Sequence, residues 1–172
     1  LVRKDSDVIW EFPEKQKEIT LEEAIGNLPE LDPYLREGID ATLHHFPNFE
    51  EKKKIGLSVS KWHFPPTHSW KQVEWMQHTP SSFSAFKNEI FFPQKDGRRI
   101  KGAPRTYMRM DWDKPAPTVT TYNHTISSFH NVHPGRLDPK TGLYSDASVL
   151  TVFELMRVTS LPDDWNIPEW AS

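Results

Sequence analysis

The sequence predicts an α+β fold: a small, irregular, β-rich domain with short flanking helices. Three observations carry that prediction. Two capping boxes, Thr20-x-x-Glu23 and Thr151-x-x-Glu154, open short apolar-striped helices towards the two ends of the chain. Between them lie short runs rich in β-branched and aromatic residues, bounded by turn formers. Fifteen Pro against seven Gly in 172 residues break the chain into short elements joined by stiff loops. With 12% aromatic residues, seven of them Trp, the chain is too aromatic for a disordered tail and can bury a core.

Taken in order, residues 1–4 read as the end of a strand and 5–18 as charged, proline-bearing loop. Thr20 and Glu23 cap a helix over 21–28, with Ile19, Ala24 and Ile25 for packing and Gly26 and Pro29 to stop it. Leu35, Ile39 and Leu43 at i, i+4, i+8 predict a helix over 34–46. The charged run 50–54 reads as a solvated turn. Pro65-Pro66 makes 62–68 a loop, and 72–79 reads as a short strand or turn. A strand over 87–93, an Asp96-Gly97 hairpin turn and a return strand from Arg99 follow. Further strands are expected over 106–110 and 117–122. Val152, Leu155, Met156 and Val158 then stripe the last helix, which Pro162 ends.

The composition excludes several kinds of chemistry. There is no Cys, so disulfides, Cys-based zinc sites and thiolate nucleophiles are ruled out for this chain. The eight His occur as His44-His45, His63 with His68, and His130 with His133 among others. None has the helical spacing of a zinc enzyme, and they are expected as core or loop residues. The glycines are isolated, so no phosphate loop is present, and no Gly-x-Ser-x-Gly elbow appears. A Ser-His-Asp triad stays open. No apolar run reaches membrane length and no leader pattern is seen, so a soluble, cytoplasmic chain is expected. The start at Leu1 rather than Met reads as a piece of a longer protein.

Charge is unevenly spread. Residues 1–51 carry 5 Lys/Arg against 13 Asp/Glu, whereas residues 52–172 carry 16 against 11. The densest stretch, 95–109, sets six Lys/Arg against Asp96 alone, the footprint expected for a polyanion. Arg98, Arg99, Lys101, Arg105 and Arg109 suit phosphates or guanine edges through bidentate hydrogen bonds. Ser82, Ser84, Lys87 and Tyr107 flank or interleave them and suit short-range contacts.

The order of motifs resembles that of DNA cytosine-5 methyltransferases. The run Ile19-Thr20-Leu21-Glu22-Glu23-Ala24-Ile25-Gly26-Asn27-Leu28-Pro29 resembles the segment after the family's eighth conserved block. The run from Asp111 to Thr120 is similar to the Pro-rich, Thr-bearing mark near the end of its target recognition domain. Val132-His133-Pro134-Gly135-Arg136 is similar to its His-Pro element. Residues 149–163 are similar to its ninth block. Two departures stand out: Ser148 and Phe153 occupy positions where the family usually has Arg.

The resemblance implies three parts: residues 1–30, a tail of the catalytic-lobe region with its connecting helix; 31–148, the target recognition domain; and 149–172, the ninth-block helix. It implies double-stranded DNA as partner, base flipping, and a catalytic lobe in the same protein or a partner chain. S-adenosyl-L-methionine would serve the full enzyme, with no cofactor held by this stretch, and a restriction-modification setting is expected. Thr118 would contact phosphate near the target cytosine, with Thr120 and Asn123 beside it. The family's Cys nucleophile is absent, so this chain alone is expected to be inactive. Two alternatives are a stand-alone DNA-binding specificity subunit and a non-catalytic interaction module.

Overall fold

The computed structural model describes residues 13–168, so the expected strand end at 1–4 lies outside the described residues. Helix α1 spans Leu21–Ile25, shorter than expected because the chain turns off at Gly26. Its capping box is complete: Thr20 accepts from the Glu23 amide, and Glu23 accepts from the Thr20 amide. Five residues cannot hold a helix alone. Leu21 and Ile25 are buried against Met110 and Leu150, with Leu155 and Val158 of helix α5, Val152–Val158, alongside. Burying two such side chains contributes about 1.5–3 kcal/mol each, against about 1 kcal/mol for a cap. Packing therefore keeps α1 folded and the cap sets where it starts. Helix α5 has the same complete box, built from Thr151 and Glu154.

The middle of the chain departs most from expectation. Residues 34–46 divide into strand β1, Tyr34–Leu35, and helix α2, Ile39–His45, because Gly38 adopts φ 107° between them. Thr42, not Leu43, turns inward; its hydroxyl donates to Gly38 O (2.8 Å) and accepts from the Leu35 amide (2.9 Å). The charged run 50–54 is part of helix α3, Phe49–Val59, rather than a turn. Phe49 and Gly56 face inward, Lys52 pairs with the buried Asp32 at 2.8 Å, and the other charges are half-buried or exposed, so most of the charged run is the outer face of a helix. Residues 72–79 fall largely in helix α4, Trp70–Gln77, which buries Val73, Trp75 and Met76. Strand β2, Thr67–His68, pairs in parallel with β1.

The Asp96-Gly97 turn forms as expected. Strands β3, Gln94–Lys95, and β4, Arg98–Arg99, pair antiparallel, and both turn residues have positive φ (52° and 75°), as a type I′ turn requires. Residues 87–93 are not a strand: a 3-10 turn over Ala85–Lys87 leads into bends. Residues 117–122 are not a strand either, because Pro115 and Pro117 remove donors and no neighbouring edge pairs with the run. Residues 106–110 are not a regular strand: Tyr107 adopts φ 48°, and single bridges hold its neighbours instead of a ladder. Met108 pairs with Ser84, Arg109 with Val132, and Val132 with Val149. These bridged segments cover a core of Leu35, Phe46, Phe49, Trp75, Met76, Ile126 and neighbouring side chains.

A buried polar layer joins this core to α5. His63 Nε2 lies 3.1 Å from Pro29 O, which can only accept, so that nitrogen carries the proton and Nδ1 accepts from the Thr151 hydroxyl at 3.0 Å. His133 Nδ1 accepts from the Gly135 amide at 3.0 Å, leaving Nε2–H to face Glu154 Oε1 at 3.6 Å. Burial lowers His133 to about 4 and raises Glu154 to about 8. Both are neutral near pH 7, so their proximity is a neutral contact and not an ion pair.

Candidate nucleic-acid interface

The exposed cations sit on segments that knit together around Phe86. Lys87 ends the 3-10 turn with its ammonium 5.2 Å from the Phe83 ring. Arg98 and Arg99 form β4, and Lys101 follows them fully in solvent. Phe86 meets Tyr107 edge-on at 5.6 Å and lies against Gly102. Arg99 is exposed, but its guanidinium donates to Phe86 O and Asn88 O and stacks on Phe92 at 3.7 Å. It ties the hairpin to the 3-10 turn, leaving Lys87, Arg98, Lys101 and Arg105 as the less constrained charges.

Arg105 borders a pocket of about 270 Å³ shared with Ser82, Asp111, Lys114 and His130. Its guanidinium lies over the Phe129 ring at 5.6 Å. Lys114 pairs with Asp111 at 2.9 Å, and Ser82 donates to the same carboxylate at 3.1 Å. Lys114, the Asp113 amide and Ser82 hold Asp111 below the usual carboxylate range. Burial lowers His130; the Arg109 backbone opposes that, Arg105 and Lys114 add to it, and Asp111 opposes it. His130 Nε2 is buried with no hydrogen-bond partner.

A larger cleft of about 760 Å³ runs between the 119–127 loop and the segments holding Phe64, His68 and Gln72, with Val149–Val152 at its base. Thr120 and Asn123 line it; Thr118 is exposed just outside. Asn123 is 9% exposed and its Nδ2 has no partner. His68 accepts from the Val149 amide through Nε2, and burial lowers it to about 4, so it is neutral here.

Three expected DNA contacts are corrected by burial. Arg109 is fully buried and donates to five backbone carbonyls: Met76 O (2.9 Å), His133 O (2.7 Å), Ser145 O (3.0 Å), Asp146 O (3.2 Å) and, at the longest distance, Tyr144 O (3.5 Å). Burial lowers it to about 10, so it stays charged at neutral pH, as a strut inside the fold. Ser84 is buried; its hydroxyl donates to Thr106 O and accepts from the Phe86 amide. Tyr107 is half-buried between Trp75 and Phe86. Strand alternation implied that some of 106–110 would face inward; it could not say that the inward residue would be a guanidinium. Lys114 and His130 were missed as pocket residues, because only the bridge between Thr106 and Phe129 brings 105 beside 130.

Comparison with known proteins adds to this geometry. The chain is similar to part of a methyltransferase. It is 46% identical over 164 residues, 94% of its length, to the Type II methyltransferase M1.HgaI of Avibacterium volantium. It spans 39% of that relative's length. No family model and no solved structure matches the chain. The similarity supports a methyltransferase-related region. No described helix is long and apolar enough to cross a membrane.

Proposed function

We propose that this chain is the DNA-reading part of a DNA cytosine-5 methyltransferase, an α+β target recognition domain that positions duplex DNA for base flipping. The observation that carries the reading is the 46% identity to a Type II methyltransferase along nearly the whole chain. The ordered motifs favour the cytosine-5 class. Exposed Lys87, Arg98, Lys101 and Arg105 around Phe86 supply the positive surface a duplex requires. The Pro-lined 115–120 segment and the cleft beside it supply hydroxyls for backbone contacts.

The chemistry belongs elsewhere in this reading. A Cys outside this chain would attack carbon 6 of the flipped cytosine, S-adenosyl-L-methionine in the catalytic lobe would supply the methyl group, and loss of the carbon 5 proton would release the Cys. The buried departures at Ser148 and Phe153 fit this division. Phe153 packs with Trp62 and Met156, so that position supports the core and carries no charge outward.

Duplex selection with the full chain, followed by affinity measurement across a salt series, tests the proposal. One short sequence should be enriched, with log affinity falling linearly as log salt rises. Arg105→Ala should weaken binding to that sequence by about 1–3 kcal/mol. No enrichment at any salt would refute the reading.

A further inference from the structure

We infer that the pocket formed by Ser82, Arg105, Lys114 and His130 seats one backbone phosphate of the duplex, and that His130 takes up a proton as the phosphate arrives. This rests on the proposed DNA-reading function and names a mechanism within it.

The pocket's size and charge point to a small anion. At about 270 Å³ it falls just below the range of cavities that enclose drug-sized molecules. Two cations, Arg105 and Lys114, face one carboxylate, Asp111, which is already held by Lys114, Ser82 and the Asp113 amide. One positive charge is left over, matching the single charge of a phosphodiester. Arg105 has no carboxylate partner among the described residues; its guanidinium rests on Phe129 with its donors available.

His130 is the unexplained member. Nε2 is buried with no hydrogen-bond partner among the described residues, whichever ring nitrogen carries the proton. An orphaned buried polar atom costs stability and calls for a ligand or a role. Protonated, Nε2 becomes a donor on a residue that lines the pocket. The charged groups facing the ring are Arg105, Lys114 and Asp111, and burial with the two cations keeps the proton off while the pocket is empty. A phosphate oxygen reverses that balance. Ser82 and His130 are also both non-glycine residues with positive φ, 66° and 45°. Backbone bonds hold them there: Ser82 N to Met110 O at 2.9 Å, and His130 N to Arg105 O at 2.7 Å. Strained conformations maintained on two walls of one pocket are typical of a binding site.

The test is a histidine-selective NMR titration of the full chain, alone, with the selected duplex, and with inorganic phosphate. His130 is assigned with His130→Asn, chosen because Asn tolerates the left-handed conformation. The free value should lie below the ordinary 6.5 and rise by about one unit or more on duplex binding, a coupling of about tenfold. Binding that takes up a proton weakens as pH rises from the free value to the bound value. Duplex affinity should therefore fall about tenfold in all from a pH well below the free value to a pH well above the bound one, and His130→Asn should flatten the profile while leaving salt-dependent binding. Arg105→Ala and Lys114→Ala, both at exposed positions, should each lower the salt slope by about 1 and shrink the rise at His130. Duplex binding with His130 unshifted overturns the inference and leaves DNA reading intact. A rise with inorganic phosphate but none with duplex overturns the duplex as the source. No duplex binding at all overturns both.

Discussion

Replacing Arg109 by Met keeps nearly the same length and removes every donor. Its five carbonyl partners are not equally dependent on it, and Tyr144 O at 3.5 Å is the weakest. Met76 O also accepts from the Thr79 amide (3.0 Å), and Asp146 O from the Ser148 amide (2.8 Å). His133 O and Ser145 O, bonded to Arg109 at 2.7 Å and 3.0 Å, have no second donor among the described residues. Stranding the buried His133 O and the part-buried Ser145 O costs at most about 1–3 kcal/mol each, so up to about 2–6 kcal/mol in all. Relief from burying a charge pulls the result towards the lower end. Against a typical domain stability of about 5–15 kcal/mol, that is a large share. The assay is urea unfolding followed by Trp fluorescence. With a slope of about 2 kcal/mol/M, the midpoint should fall by about 1–3 M. If Arg109→Met were as stable as the parent within about 0.5 kcal/mol but lost DNA affinity, the strut assignment would be refuted and Arg109 would belong to the DNA surface.

Thermal melts against pH should peak near pH 6.5. His68 and His133, lowered to about 4 in the fold, contribute stability that is full above 6.5 and lost as pH falls towards 4. Glu154, raised to about 8, contributes stability that is full below its ordinary 4.5 and lost as pH rises through 8. Two groups outweigh one below 6.5, and Glu154 acts alone above it. Glu154→Gln should remove the decline between 6.5 and 8, and an unchanged decline would show that another group causes it. Gly135→Ala and Gly142→Ala should differ in cost. Both glycines have positive φ (67° and 71°), but a Cβ at 135 would collide with the Arg109 guanidinium, whereas 142 has open space. Gly142→Ala should cost about 1 kcal/mol and Gly135→Ala clearly more; equal losses in chemical unfolding would refute the collision.

Local features were legible wherever a few neighbouring residues settle the geometry. Thr20 with Glu23, and Thr151 with Glu154, form reciprocal bonds within one turn, so both boxes appear where the spacing put them. Asp96-Gly97 likewise carries its own turn type. The misread elements all depended on distant partners. The charges of 50–54 looked like a turn because the apolar face of α3 is sparse, and it forms around Phe49 and Gly56 meeting the core. The Thr-rich run at 117–122 has strand propensity but no edge to pair with. Of the candidate DNA contacts, Lys87, Arg98, Arg99, Lys101, Arg105, Thr118 and Thr120 are exposed, whereas Ser84, Arg109 and Asn123 are buried.

What the amino-acid order determines unaided is where the capped helices begin, where the chain reverses at 96–97, where positive charge concentrates, and which family's motifs the chain resembles. Its direction at Arg109 and His130 is settled only in three dimensions. One guanidinium collects carbonyls from 76, 133, 145 and 146, and one imidazole meets a cation 25 positions before it in the chain. A charged side chain reads the same in sequence whether it serves the surface or the core. Only the arrangement of carbonyls, carboxylates and solvent around it decides which.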